Sequence, residues 1–152
     1  MLPIHTKYNL AETLVFPELI TVKILLSGNQ TNGNQAVFED IVEPGIGPGR
    51  HIHYEQDEIF LFLEGDFIAE VDGSMYKFKP GDVAFIPKGT VHAFKNVGTT
   101  IGRLRYIFSP ANTIEEMFWE MHSVLKEEEE LTFERMAEIS IKHGQEFVGP
   151  PL

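Results

Sequence analysis

The chain contains no cysteine. That absence excludes disulfide bridges, thiolate zinc sites and a cysteine nucleophile, and it leaves histidine and carboxylate side chains as the available metal ligands. Long hydrophobic runs are missing too. No apolar stretch approaches the roughly 18 residues of a membrane-span candidate, so no membrane partner is expected. The opening residues, MLPIHTKYNLAETLVFPELI, hold neither a basic segment leading into an apolar core nor a small-residue cleavage site. We therefore expect no secretory signal and a cytoplasmic location. Positive charge is scarce, with 12 Lys and Arg against 23 Asp and Glu and a net charge of −11. Phosphate-backbone binding needs clustered Lys and Arg, so no nucleic-acid partner is expected. The imbalance is local: between positions 112 and 147, ten acids stand against Lys126, Arg135 and Lys142. It describes the tail and says little about a substrate.

What the chain does have is apolar material. Hydrophobic residues make up 43% of its 152 positions, and 12 residues are Phe, enough for one core without covalent staples. From Thr21 to Phe108, short segments rich in Val, Ile, Phe and Leu alternate with turn residues, which is an all-β pattern. TVKILL (21–26) and AVFEDIV (36–42) flank Asn32-Gly33, a hairpin signal. EIFLFL (58–63), FIAEV (67–71), MYKF (75–78), VAFIP (83–87), VHAFKNV (91–97) and IGRLRYIF (101–108) complete the set. A sandwich or small barrel follows, because closure removes the edges that so many strands would expose.

Past Pro110 the period changes. Ile114, Met117, Phe118, Met121, Val124 and Leu125 share one helical face, with Thr113 and Glu116 spaced as a capping box. Thr132 is placed to cap a second helix that ends at Lys142, His143 and Gly144. The expected organisation is a barrel with an N-terminal arm over residues 1–110 and a two-helix extension over 111–152 packed on it as one structural domain. The final GPPL is expected to be at most a docked arm.

The chemistry concentrates in GRHIHYEQDE (49–58). Residues two apart on a strand share a face, so His51 and His53 can present both imidazoles to one point. Glu58 has the opposite parity, and joins them only if the intervening YEQD forms a turn that resets the register. Two nitrogens and a carboxylate oxygen would then suit a borderline divalent metal. Glu55 and Asp57 are read as turn residues. Phe60 and Phe62 share the face of Glu58, and Phe94 shares that of His92, so an aromatic-lined ligand cavity is expected beside the site. Each of these Phe is equally well explained as plain core. Arg103 and Arg105 share a face, most simply a solvent-exposed one. His92 follows a Pro87, Gly89 turn, and periodicity alone does not bring it beside His51.

Two blocks of residues resemble the cupins, small double-stranded β-helix (jelly-roll) barrels. Gly45, His51, His53, Glu58 and Gly65 match the first cupin motif, and Gly81, Pro87, Gly89, His92 and Asn96 match the second, across roughly residues 36–108. The resemblance implies that His51, His53, Glu58 and His92 bind one divalent transition metal (Fe, Mn, Ni, Cu, Co or Zn) inside the barrel, and that the chain forms a homodimer. The tail, closing in HGQEFVGPPL, is similar to that of small bacterial quercetin-dioxygenase-like cupins. By that analogy the expected activity is a metal-dependent dioxygenase or related oxidoreductase on a small aromatic or enol-type compound, with Glu58 as catalytic base and Phe60, Phe62 and Phe94 against the substrate. A non-catalytic binding or sensing module, and a metal-assisted isomerase or lyase of a sugar or keto acid, are the alternatives.

Overall fold

A computed structural model describes residues 2–152. Its strands are β1 (Glu12–Val15), β2 (Ile20–Leu26), β3 (Ala36–Val42), β4 (Arg50–His53), β5 (Asp57–Glu64), β6 (Phe67–Val71), β7 (Ser74–Phe78), β8 (Val83–Ile86), β9 (His92–Asn96), β10 (Gly102–Ser109) and β11 (Gln145–Gly149), with helices α1 (Ile114–Glu128) and α2 (Phe133–Lys142) between the last two. Six strands form one antiparallel sheet in the order β1-β2-β3-β10-β5-β8, and five form the other, β11-β4-β9-β6-β7. The two sheets close on each other as a double-stranded β-helix. Period-two burial drives that closure: β5 buries Glu58, Phe60 and Phe62 and turns the intervening side chains outward, and β10 buries Gly102, Leu104, Tyr106 and Phe108. Each inward phenylalanine withdraws about 2–3 kcal/mol worth of apolar surface from water. The β6–β7 hairpin turns on Asp72 and Gly73, both at positive φ, the two-residue turn whose twist matches that of paired strands.

The C-terminal part differs in detail from expectation. Helix α1 buries Ile114, Met117, Met121 and Val124, as its period requires, but Thr113 makes no capping bond to it. Instead Thr113 Oγ1 lies 2.9 Å from His143 Nδ1 at the end of α2, and His143 Nε2 lies 3.0 Å from Glu120 Oε2 on α1. The hydroxyl is used between helices and is lost to the cap. Thr132 does cap α2, accepting from the Arg135 N–H at 3.2 Å. The chain then returns to the barrel. Strand β11 pairs with β4, with Gln145 opposite His53 and Phe147 opposite His51. QEFVG has little alternation to announce a strand, and its pairing partner is about ninety residues away in sequence. Short β1 also escaped the reading: of its four residues only Leu14 is buried.

Candidate metal centre

Strand β4 presents His51 and His53 inward, both buried. The next four residues make the register reset. Gln56 is pulled out of the strand pattern to donate from Nε2 to the Ala111 carbonyl at 2.7 Å. Asp57 turns away from the interior, and its Oδ1 accepts from the Lys88 N–H at 2.9 Å. Gly89, at φ 78°, donates its N–H to the His53 carbonyl at 2.7 Å, a backbone conformation that a side chain would strain. Glu58 thereby starts β5 facing inward, and His92 opens β9 directly opposite His51. One ligand atom from each of His51, His53, Glu58 and His92 lies within 4.8 Å of the others. Glu55 is exposed. Asn96 is buried and structural: its amide donates to the Val42 and Thr100 carbonyls and accepts from the Gly98 N–H.

The hydrogen bonds around the cluster suit a cation. His51 Nδ1 lies 2.8 Å from the Gly49 carbonyl and His92 Nδ1 lies 2.9 Å from that of Thr90. A proton on Nδ1 in each case turns the Nε2 lone pair to the centre. His53 is buried with neither ring nitrogen hydrogen-bonded among the described residues, which costs about 1–3 kcal/mol unless something else meets it. His92 Nε2 approaches Glu58 Oε2 at 2.9 Å. With His92 already protonated on Nδ1, that contact needs one more proton between the two groups, and a divalent cation takes the place of such a proton. Burial pushes His51 down to about 3, with His92 adding to the effect, and holds His53 well below the usual range. Both imidazoles are therefore neutral and available as donors. Burial raises Glu58, opposed by His92. For His92 burial is again the largest single influence and lowers it, but the hydrogen bond and charge of Glu58 outweigh that and raise it. Three imidazoles and one carboxylate are a fitting donor set for a borderline divalent ion.

His51, His53 and Glu58 form part of the wall of a cavity of about 200 Å³, and His92 is not among its lining residues. Phe60, Phe94, Tyr106 and Phe108 line it from the barrel, and Met117, Phe118, Met121, Phe133 and Met136 cover it from the two helices. Among the described residues that line it, none is Lys or Arg. Phe62 does not border it. Its ring stacks on Phe78 at 4.3 Å and packs on Phe67, deeper in the barrel. Arg103 and Arg105 point out of the barrel, where both bind Glu39.

Two lining residues were not singled out in the sequence. Asp40 of β3 is buried inside the barrel and accepts from Tyr106 Oη at 2.8 Å. Gln145 of β11 is buried beside His53, and its amide has no hydrogen-bond partner among the described side chains. Parity with Phe38 and Val42 was the available signal for Asp40. Gln145 had none.

A closed antiparallel β-helix with three imidazoles and a carboxylate gathered inside it defines a class of small jelly-roll proteins. Within that class, the model of the Cupin domain family matches residues 38–108, and the chain belongs to the cupin superfamily. An uncharacterized protein of Methanocaldococcus jannaschii is 31% identical over 96 residues, covering 62% of this chain and 77% of that one. The HTH-type transcriptional regulator PuuR of Escherichia coli is 28% identical over 91 residues, covering 60% of this chain and 49% of the regulator. Among solved structures, a predicted oxalate decarboxylase from Thermotoga maritima superposes with a TM-score of 0.65 at 21% identity, covering 70% of this chain and 99% of that one. At that identity the likeness speaks for the fold alone.

Proposed function

We propose that this chain is a metal-dependent oxidoreductase, a dioxygenase using O₂, acting on a small aromatic or enol-type compound, with His51, His53, Glu58 and His92 as the ligands of one Fe, Mn, Ni, Cu, Co or Zn ion. The observation that carries the reading is the placement of His51, His53 and Glu58 in the wall of a mainly apolar cavity without Lys or Arg. Such a cavity accepts a planar apolar ring and rejects multiply charged sugars and acids, which would bury charge without a partner. When bound, the metal would supply Lewis-acid polarisation of a substrate oxygen and, for each candidate except redox-inert zinc, a route for electron exchange. The chain's own residues do the rest. His51, His53 and His92 hold the ion, Phe60 and Phe94, packed edge to face on each other, lie against one side of the ring, the helical cover limits water, and Glu58 takes the proton of the substrate hydroxyl. A cavity of about 150 Å³ accommodates benzene, so about 200 Å³ seats one ring within the walls. The test is oxygen uptake by protein loaded with each metal in turn, given catechol-like and enediol compounds. Turnover that persists without O₂ would point to isomerase or lyase chemistry, and no turnover with any metal would sink the enzymatic reading.

The likeness to PuuR, a transcriptional regulator, supports a second reading in which the same cavity senses a ligand. Thermal stabilisation by a one-ring compound without its conversion would favour it. As a partner we propose a second copy of this chain, docked on the outer face of β5 and β8, where Leu63, Val83 and Phe85 are exposed. Light scattering on the purified protein reads this directly, and a monomer that persists at high concentration rules it out.

A further inference from the structure

Asp40 is the polar group of the cavity that the metal cluster does not use. It stands on β3, in the sheet opposite the one that carries His51, His53 and His92. Tyr106 lies diagonally across from it on β10, next to Phe38, and holds one carboxyl oxygen through its hydroxyl at 2.8 Å. Among the described residues the other oxygen, Oδ2, has no hydrogen-bond partner, and the side chain borders the cavity. That oxygen is not among the buried side-chain atoms left without a partner, so it is reachable from the cavity and free to meet a ligand group. No cation lines the cavity to pair with it. Burial pushes the group well above the usual carboxylate range, and the charges of Glu58 and Glu39 add to this against the Tyr106 hydrogen bond. A neutral carboxyl so placed carries a proton that it can donate, and keeps lone pairs with which to accept.

We propose that Asp40 is a ligand-contacting residue that selects ring compounds carrying a hydroxyl directed at the β3 side of the cavity, with Tyr106 as its positioning residue. This narrows the substrate class given above and rests on that reading for its chemistry, while the contact itself depends on the cavity alone. In a cavity of apolar walls a bare ring or a methyl-bearing one is favoured over a hydroxyl, since the hydroxyl must leave water. Asp40 reverses that preference. A ligand with an anionic group at Asp40 is disfavoured, because no cation lines the cavity to neutralise it.

Phenol and toluene differ only by hydroxyl against methyl and are the probes. Their affinities are measured by calorimetry on the metal-free protein, for wild type, Asp40→Asn, Asp40→Leu and Tyr106→Phe. Wild type binds phenol at least about tenfold more tightly than toluene, as one well-made buried hydrogen bond implies. Asp40→Asn keeps that preference, because the amide also donates and accepts. Asp40→Leu inverts it, and Tyr106→Phe reduces it severalfold. The inference is overturned if wild type treats the two alike, prefers toluene or binds neither, or if Asp40→Leu still prefers phenol. Should Asp40→Leu not fold, the wild-type ratio and Tyr106→Phe decide alone. The phenol preference is read on metal-free protein and does not depend on metal uptake. Failure of wild type to take up metal would thus remove the proposed enzymatic function while leaving this contact intact.

Discussion

Glu39 and Asp40 are adjacent in β3 and equally buried, at 0% and 2% exposure, yet they are held in opposite ways. Glu39 faces out of the barrel, where Arg103 and Arg105 each give two N–H groups to one of its oxygens and the Tyr8 hydroxyl adds a fifth donor. Burial pushes its carboxyl up, but the hydrogen bonds from Arg103, Tyr8 and Arg105 together hold it below the usual range. Asp40 faces in and has only Tyr106. The first carboxylate is a completed structural network. The second is incomplete, and incompleteness next to a cavity is what a binding group looks like before its ligand arrives.

Substitutions that break this contrast should show it in stability. Glu39→Ala has the largest expected effect, a loss of about 3 kcal/mol in urea denaturation. It strands two guanidinium groups, with the loss moderated because both are about a third exposed. A loss under about 1 kcal/mol would mean the network is not structural. Asp40→Asn should act in the other direction, gaining about 1 kcal/mol near pH 7 by removing a carboxyl that burial disfavours, and a clear loss would contradict the account.

The pH dependences separate the pair further. Glu39 binds protons less readily folded than unfolded, so its contribution is present above about pH 4.5 and fades as pH falls through its lowered value. Asp40 binds them more readily folded, so its cost is absent below about pH 4 and grows as pH rises. The penalty of Glu39→Gln should therefore shrink in acid, and the gain of Asp40→Asn should shrink in acid as well, each from its maximum near neutrality. Urea midpoints from pH 3 to 8 test both. Metal-free wild type should also weaken as pH drops from about 6.5 towards 3, because unfolded His51 takes up a proton that the folded site, at about 3, refuses. The smallest change is Gln145→Leu, which replaces a partnerless amide in an apolar wall and should alter stability by less than about 1 kcal/mol. A larger loss would reveal a partner for that amide.

Much of this was legible in advance, and the exceptions share a cause. β6 falls on FIAEV, and the 54–57 reset could be inferred because Glu58 needed it to join His51 and His53. AVFEDIV was harder. Its apolar residues fall on both parities, so the signal from Phe38 and Val42 that turns Asp40 inward is opposed by Val37 and Ile41, and the Arg103 and Arg105 side chains across the sheet hold Glu39 on the outer face. The position of β11, and with it Gln145, depends on pairing with a strand far away in sequence. His143 was read as a helix-end residue, and its contact with Thr113 and Glu120 required knowing how α1 and α2 pack. Local period and spacing identify elements and motifs. They do not say which distant side chains complete or leave open a polar group.

The central claim is that His51, His53, Glu58 and His92 hold a metal. Elemental analysis of the protein purified without an affinity tag or chelator, with His51→Ala alongside, tests it most directly. About one equivalent of a transition metal in wild type, lost in His51→Ala and retained in both Glu39→Gln and Asp40→Asn, is the predicted result. A protein that carries no metal, and takes up none when iron, manganese, nickel, copper, cobalt and zinc are supplied, would contradict it.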